Sequence, residues 1–236
     1  MKKNSVNKVT VDKYVRGDFG QFKTYPAFVQ TLIDELINVG SFTPGIDSDK
    51  KHRRGTSINI DVYGWHVEMG LAVIQVRQCR FHPRWWNHVR KDYYLIGRNE
   101  SMTVFSHPCS SPARSSIAMV ERPEETVYWV EREIFRCTER QRTLMVRQGD
   151  LAFVPAAIPS EAEPVPVDAL TVDADGSHLL KADTAFIHEA VLYVRGPATM
   201  IHLKGQHAPV EVPKGSWRVQ VGYREPTWGF TRPTRD

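Results

Sequence analysis

Apolar positions along this chain recur with two periods. Between Tyr25 and Val39, residues Phe28, Val29, Leu32, Ile33, Leu36 and Ile37 return at spacings of three and four, one stripe along a helix. Thr24 is placed to cap that helix, Pro26 suits its first turn, and Gly40 is a natural stop. From Ser57 the period shortens. Brief β-branched or aromatic runs at Ser57–Val62, Ala72–Val76, Tyr93–Ile96, Met102–Phe105, Thr126–Val130 and Leu144–Val146 predict strands. Beyond Gly149–Asp150 the run LAFVP enters the proline-bearing stretch PAAIPSEAEPVPVD. Further strand candidates follow at Ala185–Ile187, Ala190–Val194, Thr199–Leu203, Val210–Val212 and Trp217–Val221. Gly196–Pro197, Gly205 and Pro213–Lys214–Gly215 divide them.

The pattern predicts a mainly β chain of the α+β kind, with one amphipathic helix near residues 25–39. A composition shift near Arg147 suggests two units. Residues 1–146 form an N-terminal β-rich unit with the helix and a basic-aromatic segment, and residues 147–236 form a small barrel or sandwich.

Composition changes this picture modestly. Of 236 residues, 41% are hydrophobic and 25% charged, the balance of an ordinary globular protein. A net charge of +4 permits a polyanionic partner without requiring one. The charge is uneven, because the stretch from Arg77 to Arg98 is basic whereas Ser160–Asp183 holds six acids against Lys181. Three cysteines with no CxxC pair argue against a disulfide framework or a cysteine-based zinc site. The start lacks an apolar signal core, and no run of 18 apolar residues exists, so the expected setting is cytoplasmic with no membrane partner.

The segment Arg77–Tyr94, RQCRFHPRWWNHVRKDYY, bears most directly on a partner. Arg77, Arg80, Arg84, Arg90 and Lys91 stand against one acid, Asp92, with His88 able to add charge. Trp85, Trp86 and Tyr93 are interleaved with them. Guanidiniums neutralise phosphates and aromatic faces stack on unpaired bases, a combination that suits single-stranded nucleic acid. Arg53 and Arg54, in the polar loop DSDKKHRRG, supply a second basic run. The competing reading makes alternate residues of the segment core aromatics of a strand, with the arginines as its wet face.

Other chemistry is less sharply patterned. None of the nine histidines forms HxH or HxxxH. His202 and His207 flank Gly205 and can meet across a tight turn, where His178, His188 and Glu189 are candidates to join them as ligands or base. Ser106-His107 beside Cys109-Ser110-Ser111 offers a nucleophile and a base in one stretch, but sequence neighbours rarely take triad geometry. No phosphate-binding glycine loop is present, and no cofactor is expected. Glu121–Glu125 and Glu131–Glu133 read as solvent-facing acids. Gly64, within Tyr63-Gly64-Trp65-His66, allows a backbone to approach a ligand closely, and Gly97-Arg98-Asn99-Glu100 reads as a turn.

Residues 147–236 resemble a small uncharacterised bacterial and phage family that opens on an RQGD strand. That family continues through TGHxH and HxxHxPv-lPxGxYrV, and closes on QREY. The matching positions are Arg147-Gln148-Gly149-Asp150, Val154-Pro155, His207-Ala208-Pro209-Val210, Pro213, Gly215, Arg218, Val219 and Arg224-Glu225, with Trp217 at the tyrosine position. Departures are Gly176-Ser177-His178-Leu179 in place of TGHxH, and Lys204 where HxxH begins, with His202 two residues away. The resemblance implies a β-rich fold and a histidine set only partly retained.

Taken together, these residues point first to a nonenzymatic accessory protein that binds RNA or a single strand. A histidine- or metal-dependent hydrolase or nuclease centred on His178, His202 and His207 is the second reading. A subunit that only meets other proteins is the third.

Overall fold

The computed structural model describes residues 22, 24–41, 56–80, 88–99, 101–112, 122–167, 170–172, 177–205 and 207–227, with backbone alone at 56–59, 78–80, 88–89 and 170. The chain is mainly β, as its pattern predicts, with two sheets and three helices among the described residues. It divides into two compact units, each assembled from separated stretches. One comprises Met1–Gly97, Pro108–Val127 and Glu225–Thr234, and the other Arg98–His107, Tyr128–Arg224 and Arg235–Asp236.

In the first unit, helix α1 (Ala27–Asn38) buries Val29, Leu32, Ile33 and Leu36 along its predicted stripe. Its cap position is Pro26 rather than Thr24, and no side chain caps it. The C-terminus follows expectation. Gly40 takes φ 78°, its N–H donates to the Ile37 carbonyl and the Ser41 N–H donates to that of Leu36. These two bonds close the helix in a Schellman motif.

Strands β1 (Thr56–His66), β2 (Leu71–Arg80), β3 (His88–Arg98) and β4 (Val104–Cys109) form a four-stranded sheet in sequence order. Leu71 to Val76 of β2 are all buried. Both faces are therefore covered, and the strand reads as a near-continuous apolar run. Gln75, fully buried within it, donates through Nε2 to the hydroxyls of Tyr63 at 2.9 Å and Tyr93 at 2.6 Å, which offsets the cost of burying an amide. Gly64 sits at a bulge, where a Cβ would lie 2.3 Å from the Pro123 carbonyl oxygen. The close approach that the glycine allows is thus made by another stretch of this chain, not by a ligand.

The expected strand Thr126–Val130 is instead the middle of helix α2 (Pro123–Phe135). Proline at its first position and Glu124 and Glu125 in its first turn are helix-start chemistry that outweighs the β-branched and aromatic run. Helix α3 (Glu139–Leu144) opens on a capping box between Thr138 and Gln141. One helix was expected from the pattern, and these two add to it.

In the second unit, β5 (Val146–Gln148), β6 (Leu151–Pro155), β7 (Glu163–Val165), β8 (Leu170–Thr171), β9 (His178–His188), β10 (Val191–His202) and β11 (Val210–Val221) form one sheet. The pairing order is β5-β6-β11-β10-β9-β7, with β8 also on β9. Leu151, Phe153, Leu180, Val194, Met200, Val212, Trp217 and Val219 make its core. The ring nitrogen of Trp217 is satisfied by the Pro213 carbonyl at 3.0 Å.

Glu131 is not solvent-facing. It is 1% exposed and meets Arg142 at 3.4 Å and Arg147 at 3.6 Å. Arg147 also lies over the rings of Phe105 and Phe135. Replacing Glu131 with alanine removes the buried carboxylate that Arg142 and Arg147 share. Arg142 is then left with the exposed Glu139, and Arg147 with the Gly149 carbonyl and its flanking rings. The expected loss is about 3–5 kcal/mol of unfolding free energy, measured by urea denaturation. A loss under about 1 kcal/mol would place Glu131 with ordinary surface acids.

Candidate functional site

Register decides what the basic-aromatic segment can present. Thr56 pairs with Arg80, and Arg80 pairs with His88, so the three share one row across β1, β2 and β3. The row marks one end of the sheet. Residues 50–54, which hold Arg53 and Arg54, run toward Thr56 in the chain, and residues 81–87, which hold Arg84, Trp85 and Trp86, link Arg80 to His88. These five residues lie outside the described ones, as do the side chains of Arg80 and His88. Thr56, two residues after Arg54, thus shares one row with Arg80 and His88, which bracket Arg84, Trp85 and Trp86 in sequence.

The described members of the segment divide between fold and surface. Arg77 is held in the sheet by Asp61 at 3.7 Å, with side-chain exposures of 12% and 3%. Tyr93 accepts from Gln75 and packs edge-on against Tyr63, ring centroids 5.4 Å apart. Tyr94 is fully buried. Arg90 and Lys91 are half-buried, Lys91 directly across from Arg77.

Beside Lys91 and Tyr93, within the same unit, is a cavity of about 300 Å³ also lined by Pro108, Ser111, Glu225 and Thr227. Glu225 is fixed there, since its N–H donates to the Pro108 carbonyl at 3.3 Å and its Oε2 accepts from Ser110 Oγ at 2.9 Å. Cys109, also in the wall, is 3% exposed, and burial pushes its thiol well above the usual range. It acts as an apolar surface, not a nucleophile.

The histidines give the clearest convergence. His178 opens β9 and His202 closes β10 directly opposite it, and His207 follows the turn at Gly205. Ring centroids lie 4.6 Å apart for His178–His202, 5.0 Å for His202–His207 and 6.4 Å for His178–His207. All three are buried. His188 and Glu189 do not join them. His188 ends the strand that His178 begins, ten residues along, or roughly 33 Å at the rise of an extended chain.

Hydrogen bonding defines what this cluster can do. The Lys204 N–H donates to His202 Nδ1 at 3.2 Å, so in the neutral ring Nδ1 accepts and the proton sits on Nε2. A metal-ligating imidazole uses one lone pair on the ion and gives its other N–H to an acceptor, the reverse of this arrangement. His178 Nδ1 lies 3.2 Å from Ser177 Oγ. Among the described residues, no three of His, Cys, Asp and Glu are arranged to hold a metal ion.

The proposed nucleophile-and-base stretch does not assemble. Ser106 and His107 are consecutive on β4 and point to opposite faces. His107 Nε2 donates to the Tyr223 carbonyl at 2.9 Å. The turn expected at Gly97-Arg98-Asn99-Glu100 begins later, because Gly97 and Arg98 end β3 and Asn99 Oδ1 accepts the N–H groups of Ser101 and Thr103 beyond it. No described helix is long and apolar enough to cross a membrane. Comparison with known protein families, curated proteins and solved structures finds no match for this chain.

Two predictions follow from the buried histidines. Burial, aided by the Arg224 and Arg147 guanidiniums and opposed by the Tyr223 carbonyl and Asp150, lowers the His107 pKa from 6.5 to about 4. The unfolded chain therefore binds the extra proton first, so stability is full above about pH 6.5 and falls as pH drops toward 4, by about 3 kcal/mol in all. His107→Gln should flatten that part of a pH series of denaturation midpoints. For the cluster of His178, His202 and His207, a chelator should leave the melting temperature unchanged. A chelator-induced drop that disappears in His202→Ala would make it a metal centre.

Proposed function

We propose that the protein is a nonenzymatic accessory factor that binds RNA or single-stranded nucleic acid at the end of its four-stranded sheet. One observation carries this reading. Thr56, two residues after Arg54, shares one row of the sheet with Arg80 and His88, which bracket residues 81–87 in sequence. Lysines and arginines gathered in one place track a phosphate backbone, and Trp85 and Trp86 supply faces on which bases stack. Arg90 and Lys91 follow on β3, one on each face of the sheet. The buried histidine cluster favours the hydrolase reading less, because its rings are turned to one another and to backbone, away from a substrate's reach.

Fluorescence anisotropy with labelled oligothymidine and oligouridine, between about 50 and 200 mM salt, tests the proposal. Affinity should fall linearly on a log–log plot, and Arg84→Ala or Arg90→Ala should each reduce the slope by about 0.7. Loss of a stacking tryptophan, at Trp85 or Trp86, should cost about 1–3 kcal/mol with little change in slope. If the wild type shows no salt-sensitive binding to either strand, the proposal fails.

A further inference from the structure

We infer that the cavity beside Lys91, Tyr93 and Glu225 is a pocket for one guanine base. This rests on the nucleic-acid reading above and names the base that the site selects. The cavity, about 300 Å³, lies at the small end of ligand pockets and suits one base better than a longer ligand. Lys91, which lines it, lies three residues along β3 from His88, roughly 10 Å at the rise of an extended chain.

The chemistry of the lining selects the base. A carboxylate accepts only, and accepts best from two parallel N–H groups. Among the common bases, guanine alone presents two adjacent N–H groups, N1 and N2, on its pairing edge, with the O6 acceptor next to them. Glu225 can take the two N–H groups and Lys91 can donate to O6. The other carboxylate of the lining, Asp92, is 5% exposed and accepts from the Tyr94 hydroxyl at 3.4 Å. Uracil offers one N–H between two carbonyls. Adenine and cytosine set an acceptor nitrogen beside their amino group, which a carboxylate repels.

Both walls are positioned before any ligand arrives. Ser110 holds Glu225 Oε2 at 2.9 Å, and each carboxylate oxygen keeps a further lone pair for the base. Tyr93 is anchored by the 2.6 Å bond from Gln75 and by the edge contact with Tyr63, so its ring is a rigid side of the pocket. Pro108 and the protonated Cys109 complete an apolar wall.

The test compares oligothymidine with the same strand carrying one central guanine, and with inosine in place of that guanine, on the full chain. The guanine strand should bind about ten-fold tighter than oligothymidine. Inosine, which lacks the N2 amino group, should lose most of that gain. Glu225→Gln should bring the guanine strand down to the oligothymidine level, with an unchanged melting curve as the check on folding. Because the inosine arm alters the ligand, it decides the matter even if Glu225→Gln fails to fold.

Equal, salt-sensitive binding of guanine and thymine strands overturns the pocket and leaves the nucleic-acid reading in place. Absence of binding to every strand overturns that reading, and guanosine monophosphate then decides the pocket. Saturable binding lost in Glu225→Gln assigns it to free guanine nucleotides, whereas no binding ends the inference.

Discussion

The seven-stranded unit turns on one half-buried guanidinium. Arg147 enters β5 between the rings of Phe105 and Phe135, meets the carboxylate of Glu131, and donates through Nε to the Gly149 carbonyl at 2.7 Å. An arginine so placed is satisfied only if every neighbour is in position. Its neighbours repeat the pattern. The Gln148 amide bridges to the Ala208 and Met200 carbonyls, Gly149 turns the chain at φ 57°, and Asp150 pairs with Arg224 at 2.7 Å. The four residues RQGD thus form a structural corner. The motif that stands out in the sequence reports packing, not chemistry.

That distinction explains what was legible. Helix α1 was plain because its stripe and its glycine stop are local signals. Helix α2 was misread because Thr126 to Val130, taken alone, is β-branched and aromatic. The proline and paired glutamates before it carried the correct signal, and Val127, Val130 and Ile134 keep helical spacing. Burial of Glu131 was hidden for another reason. Its partners, Arg142 and Arg147, stand 11 and 16 residues on, on other elements, where no helical or strand spacing relates them to it.

The histidines make the same point from the other side. His202 and His207 could be paired from the intervening glycine, but His178 reaches them only through the β9–β10 register. At Lys204, the start of the resembling HxxH motif, the backbone N–H occupies His202 Nδ1. What sequence could not supply was the tautomer that this bond imposes, and with it the cluster's chemical character. The basic stretches were visible as composition. The shared row of Thr56, Arg80 and His88 was not, because it depends on strand pairing across two connections.

A short late stretch serves both units. Gly222 and Tyr223 donate to Asp150 and Ile134 in the second unit, and Glu225 donates to Pro108 in the first. On the ribosome, neither unit can be completed until synthesis has passed these residues. The usual order, in which an earlier domain matures before a later one is made, is therefore closed to this chain. Its two halves must ripen together, and until then a nascent chain carries both unfinished cores and depends on whatever shields them.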